Sequence, residues 1–340
     1  MRYHTRTRAL ILFGMIGLVL VALGGCTTGI DSFDPISSRG RSISNLFILT
    51  IILAAAIMVA LVSVLAYILI RFRSRPGGEA TRELGHTHQI EAAWTIGIVV
   101  LFAILGFFMV RSMQAVTAPA EASAITIQVV GHQWWWEFRY PDSNVVTANE
   151  LHVPVGTSLR FQINGADVIH SFWVPQFGWK VDAIPGKSNS MTVEVDKTGT
   201  FEGACTEFCG AQHAWMRIRV IAEPASDFQA WIAHEQQPAA NAQSAIAKRG
   251  QVLFLENTCV SCHAVRFADG SATKGGIGPD LTHVGSRETI GAGVLTNTPD
   301  NMTAWIHNAD SVKPHVLMPG FTGLSDPDIE ALMRYLEGLK

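Results

Sequence analysis

The sequence predicts three structural classes in one chain: a membrane-spanning helical hairpin, an all-β domain and an all-α domain. Three changes of texture predict this. Residues 43–70 and 92–110 are apolar runs long enough to cross a bilayer of roughly 30 Å at about 1.5 Å per residue. From about 123 to 223 the chain breaks into short alternating runs divided by Pro154, Gly156, Pro185-Gly186 and Gly199, as in a β-sandwich or barrel. From about 245 to 340, helical apolar spacing appears.

Residues 1–25 read as a secretion signal, with Arg2, Arg6 and Arg8 ahead of an apolar stretch. Leu23-Gly24-Gly25-Cys26 resembles a bacterial lipobox, so Cys26 is expected to be lipidated; an ordinary signal or a third membrane helix is the alternative. The hairpin occupies 40–111. Its connecting loop carries Arg71, Arg73, Arg75 and Arg82, which places that loop in the cytoplasm and both flanks outside. The β domain covers 123–223 and a linker 224–244, in which 224–235 reads as a short helix and Gln236 to Ser244 as a flexible tether. In the last segment, 245–340, Asp300 to Ala309 and Asp326 to Leu339 have helical spacing behind cap candidates Thr298 and Ser325.

A length of 340 residues allows two or three domains, and the 48% hydrophobic content is concentrated before residue 111. A net charge of −3 gives no electrostatic case for a nucleic-acid partner. The five cysteines stand at 26, 205, 209, 259 and 262. The last four form two close pairs, a spacing better suited to metal or haem attachment than to a disulfide framework.

Cys205, Cys209, His213 and Met216 fall within twelve residues: two thiolates, an imidazole and a thioether, a soft donor set suited to copper. Zinc is the rival metal, although it rarely takes thioether ligands, and a Cys205–Cys209 disulfide is the structural alternative. Two bridging thiolates would need a second imidazole, and His170 is a candidate upstream.

This segment resembles the binuclear copper motif of cytochrome c oxidase subunit II. Gly131-His132-Gln133-Trp134-Trp135-Trp136 and Val181-Asp182-Ala183-Ile184-Pro185-Gly186 are similar to that family's aromatic stretch and following turn. The resemblance spans about residues 40–223. It implies a cupredoxin-like Greek-key barrel holding two copper ions. Cys205 and Cys209 would bridge them, with ligation by His170 and His213, a weak bond from Met216 and the backbone carbonyl of Glu207. It also implies a magnesium ion held by the Glu207 carboxylate at the subunit I interface. Trp134 matches the tryptophan through which electrons enter, whereas Trp135 and Trp136 read as core. Glu91 is either a solvated helix-start acid or an element of proton uptake; the resemblance implies uptake, although Ile98 replaces a usual proline.

Cys259-Val260-Ser261-Cys262-His263 is the attachment motif of c-type haem: both thiols add to the vinyl groups and His263 ligates the iron. Residues 245–340 resemble a class I cytochrome c, including Gly278-Pro279-Asp280-Leu281 and Met318-Pro319. Met318 is the expected second axial ligand, and His315 competes.

The expected protein is thus a two-pass subunit of a proton-translocating terminal oxidase in a bacterial cell membrane. Its copper and haem domains face the outer side, and its partners are subunits I and III and reduced cytochrome c. The alternatives are a haem–copper nitric oxide reductase subunit and a copper-delivery protein. A quinol oxidase subunit is disfavoured because the copper ligands are present.

Overall fold

The computed structural model describes residues 32–73 and 87–340. The signal segment, Cys26, Arg75 and Arg82 lie outside the described residues. Helix α1 (Ser38–Arg71) and helix α2 (His88–Thr117) have mean hydropathies of 3.0 and 2.5 over their most apolar windows. Neither window is covered by protein, the condition of a helix whose apolar faces require lipid.

The start of α1 is set into the β domain. Ser37 caps the helix by accepting from Gly40 N and also donates its hydroxyl to the Phe177 carbonyl, 3.1 Å away. Ile36 N donates to Gln176 O (3.0 Å), and Ile36 O accepts from Asp196 N (2.9 Å). Ile36 and Ser37 are fully buried. These contacts join helix and domain without a free linker.

The β domain is two stacked five-stranded sheets. The first has the order β3 (Val145–Ala148), β2 (Trp135–Tyr140), β1 (Ile125–His132), β5 (Ser158–Gly165), β8 (Asn189–Glu194). The second has β4 (Glu150–Pro154), β10 (Arg217–Glu223), β9 (Gly199–Cys205), β6 (His170–Trp173), β7 (Lys180–Ala183). The β1–β5 and β4–β10 pairs are parallel and the others antiparallel. Residues of β5 and β10 alternate between buried and partly exposed, the period-two signature of strands covering a core. Phe172 sits centrally, with the rings of Trp136, Phe161 and Phe138 at 5.6, 5.8 and 6.3 Å. Burying one such side chain contributes about 1.5–3 kcal/mol.

Helix α3 (Ala225–Glu235) packs Phe228 and Trp231 on Tyr140, with ring separations of 6.1 and 5.3 Å. The following segment is not a free tether. Gln236 Nε2 donates to Ser143 O in the β domain (2.8 Å), and Ala239 N donates to Arg266 O in the α domain (2.8 Å). Ala239 is buried in the α-domain core.

The α domain contains α4 (Ala245–Glu256), α5 (Cys259–Cys262), the short pair β11 (Thr289–Ile290) and β12 (Leu295–Thr296), α6 (Pro299–Val312) and α7 (Asp326–Glu337). Helices α4 and α7 pack together, with Phe254 and Tyr335 rings 5.5 Å apart. Thr298 caps α6 through Asn301 N. Ser325 precedes α7 but gives its hydroxyl to Asp328 instead of capping a backbone N–H.

The two soluble domains meet. Glu150 of β4 accepts from Glu288 N (3.1 Å), Thr289 N (2.7 Å) and Thr289 Oγ1 (2.6 Å). Arg219 bridges Glu202 and Glu288. Gln212 Nε2 donates to Lys313 O (3.0 Å) and Pro314 O (2.7 Å).

Candidate copper and haem sites

The β6–β9 pairing sets Phe172 opposite Cys205 and so brings His170, 35 positions earlier, to the thiol pair. One donor atom each from His170, Cys205 and Cys209 lies within 4.8 Å of the others. Both cysteines are free, with sulfurs 3.8 Å apart; the disulfide alternative is not what the structure contains. Cys209 Sγ is 3.7 Å from His213 Nδ1 and 3.9 Å from Met216 Sδ. Cys205 Sγ lies 3.3 Å from the Glu207 carbonyl oxygen. His170 and Met216 are fully buried. The five side chains and the Glu207 carbonyl that the sequence singled out thus occupy one compact place, buried at His170, Cys205, Cys209 and Met216 and partly exposed at His213.

His170 is oriented by Asp167, a residue with no role foreseen from sequence. Its Nε2–H donates to Asp167 Oδ1 at 2.8 Å, and Asp167 also accepts from Val168 N (2.6 Å) and Gln133 N (2.7 Å). His170 Nδ1 is then left buried without a partner. A metal-ligating imidazole commonly has such an outer hydrogen bond on its other nitrogen. Burial pushes the His170 pKa down, but Cys205 and Asp167 outweigh it and leave the net shift upward. Burial likewise raises Asp167, whereas its three donors carry it below the usual carboxylate range. The hydrogen bond from Cys209 pulls the Cys205 thiol down to about 3, against burial, and Cys209 is pushed up in return. One negative charge is therefore readily held by the pair, and loss of a second proton calls for a cation. A Cβ on Gly131 would lie 2.8 Å from His170 Cδ2, so this position admits only the bare backbone. Soft donors and an orphaned, buried imidazole nitrogen fit copper.

Cys259, Cys262, His263 and Met318 line one cavity of about 360 Å³. His263 Nδ1 is 2.8 Å from Pro279 O, which fixes the ring and leaves Nε2 available. Burial lowers the His263 pKa and favours the neutral, ligating form. A Cβ on Gly278 would sit 2.5 Å from His263 Cε1. Met318 is carried in a loop laced to α6 by Phe321 N→His307 O (2.9 Å). His315, its competitor, is exposed, is absent from the cavity wall and donates its backbone N–H to Asp310. An apolar cavity with two thiols, an imidazole and a facing thioether fits a covalently held haem.

The β domain supplies part of that cavity's wall, through Gln133, Trp134, Trp135 and Gln212 among others. Trp134 is half-buried, and its indole N–H donates to Cys209 O at 2.9 Å. Gln133 Nε2 donates to the same oxygen at 2.8 Å. Trp136 is core, as expected. Trp135 is buried for a different reason: it stacks on His132 at 4.3 Å and donates to Ile277 O across the domain boundary (3.2 Å).

Residues 30–111 match the family model described as cytochrome c oxidase subunit II, transmembrane domain; 145–223 match its periplasmic domain, and 247–340 match cytochrome c. The chain is 33% identical to cytochrome c oxidase subunit 2 of Alkalihalophilus pseudofirmus, over 96% of both chains. The chain belongs to the cytochrome c oxidase subunit II family. It is also 33% identical to the Bacillus subtilis subunit 2, again over 96% of each chain. The solved periplasmic domain of subunit II from Bradyrhizobium japonicum is 36% identical, covering 35% of this chain and 97% of that one, with a TM-score of 0.34. Membership with a fused cytochrome c domain makes this a membrane-anchored oxidase subunit that carries copper and haem c. Glu91 lies in the first turn of α2, 3.7 Å from His88, remote in sequence from the copper donors. Glu207 points its carboxylate outward, and neither described cluster of potential metal donors includes it.

Proposed function

We propose that this subunit receives electrons from reduced cytochrome c at its fused haem and passes them to a binuclear copper centre. From there they go to the oxygen-reducing site of subunit I, with proton translocation in the assembled oxidase that also contains subunit III. Cys259 and Cys262 would hold the haem covalently, with His263 and Met318 as its iron ligands. Cys205 and Cys209 would hold the copper ions together with His170, His213, Met216 and the Glu207 carbonyl. The bound groups supply one-electron redox chemistry; the chain fixes their ligands, keeps water out and sets the separation between them.

One observation carries this function: Trp134 stands in the wall of the haem cavity while hydrogen-bonded to the backbone of Cys209. A single side chain thus links the two cofactor sites. The Glu207 carboxylate would hold magnesium only together with ligands from subunit I, which its outward position permits. Glu91 would supply protons from the cytoplasmic edge of α2. The copper and haem domains would face the outer side of a bacterial membrane, since Arg71 and Arg73 end α1 at the loop that joins it to α2.

Flash-induced electron transfer in the intact oxidase tests the relay. Haem oxidation and copper reduction should be concurrent, and deletion of residues 236–340 should leave copper bound but slow its reduction by the natural donor. Equally fast copper reduction without the haem domain would refute the relay.

A further inference from the structure

A second donor cluster lies away from the copper and haem residues, where α3 meets the α domain. Donor atoms of His234, Glu235 and His283 lie within 4.8 Å of one another. His283 is 2% exposed and Glu235 is 5% exposed. His283 Nε2 donates to the Gln237 carbonyl at 2.9 Å, while its Nδ1 is buried with no hydrogen-bond partner. This repeats the arrangement of His170: a backbone or carboxylate oxygen fixes the tautomer, and the second nitrogen keeps an unused lone pair. The His234 and His283 rings are 4.8 Å apart and tilted by 50°. His234 Nδ1 is 3.5 Å from Glu235 Oε1, close to the separation of two ligands sharing one small cation.

We propose that His234, Glu235 and His283 form a site for zinc or a similar divalent ion that clamps α3 to the cytochrome domain. Two imidazoles and a carboxylate are a zinc-type donor set that leaves a fourth position for water. Burial holds His283 in its neutral form, which suits ligation. The nearby cation, Arg266, donates to the Glu235 backbone carbonyl at 2.6 Å and not to its carboxylate. Helix α3 is fastened to the copper domain through Phe228, Trp231 and Tyr140, whereas His283 belongs to the cytochrome domain. An ion held by all three ligands therefore joins the domains at a further point, beside the segment that connects them.

The test uses the full-length chain loaded with copper and haem, exposed to zinc chloride and then freed of excess by gel filtration. One zinc per chain should be retained in addition to the copper, and zinc-edge X-ray absorption should find nitrogen and oxygen ligands without sulfur. His234→Ala and Glu235→Gln should each weaken zinc binding by about tenfold or more, with copper and haem contents unchanged. His234 is 45% exposed at its side chain, so its replacement leaves the core intact. His283→Gln tests the buried ligand, with haem retention reporting that the domain has folded. Absence of retained zinc, sulfur in its coordination, or binding indifferent to His234→Ala would each overturn the site and leave the cluster a histidine–carboxylate contact. None of these outcomes bears on the electron relay, which stands or falls on the flash experiment.

Discussion

Trp134 gives its indole N–H to the carbonyl oxygen of Cys209, 2.9 Å away, and presents the rest of the ring to the cavity that contains Cys259, Cys262 and His263. Replacement by phenylalanine keeps an aromatic ring but removes the hydrogen bond; alanine removes both. Haem-to-copper transfer should be slowed by Trp134→Phe and more so by Trp134→Ala, with the copper and haem spectra unchanged. Flash photolysis reads the rates. Equal rates in all three proteins would exclude Trp134 from the path.

Met318, not His315, lines the haem cavity. Met318→Ala should abolish the methionine–iron absorption band and lower the haem potential, because a Met/His pair raises it. His315→Ala should leave both unchanged. Redox titration with optical detection distinguishes them, and the opposite pattern would transfer the axial role to His315.

Glu150 gathers three donors from the cytochrome domain while itself 3% exposed. Hydrogen bonds to a charged group contribute about 1.5–3 kcal/mol each, and Glu150→Ala leaves the donors on Glu288 and Thr289 unpaired. The variant should undock the domains without loss of either cofactor. Proteolytic cleavage within 236–244 should become faster, and haem-to-copper transfer slower.

Lys313 is 2% exposed, with Nζ 3.5 Å from Trp134 O, and burial lowers its pKa from 10.5 to about 8. The docked state therefore binds fewer protons than the undocked one between those two values. By linkage, docking strengthens as pH rises through that window, by up to about tenfold per pH unit. Below about pH 8 the buried charge weakens docking by its full amount. Lys313→Met should tighten docking at neutral pH and flatten the dependence. Cleavage within 236–244, normalised at each pH to an unfolded substrate, measures both effects; an unaltered pH profile in Lys313→Met would rule out Lys313 as its source.

The cofactor sites were legible because their chemistry is local in sequence. Four side-chain copper donors lie between Cys205 and Met216, and three haem residues between Cys259 and His263. His170 required the further inference that a strand returns beside Cys205, which the β6–β9 register supplies. The domain interface left no such mark. Glu150 meets Thr289 at 139 positions' remove and Gln212 meets Pro314 at 102, and no periodicity records either pairing. Lys313 and Trp135 illustrate the same limit. A lysine reads as surface and a tryptophan beside two others reads as core, until a second domain covers both. The segment 236–244 has the composition of a tether, and tertiary hydrogen bonds at Gln236, Gln237 and Ala239 pin it.

The seating of Ile36 and Ser37 in the β domain makes α1 a rigid mast instead of a leash. A bilayer fixes the height of such a mast through its apolar length, so the copper donors ride at a set depth above the lipid and cannot wander from it. The cytochrome domain is attached by side-chain contacts, polar at Glu150 and Gln212 and apolar at Trp135 with Ala292, and not by a continuous helix. The gap between the copper donors and the membrane is therefore held by continuous covalent structure, whereas that between copper and haem is held by side-chain contacts, so single substitutions can alter the second and leave the first untouched.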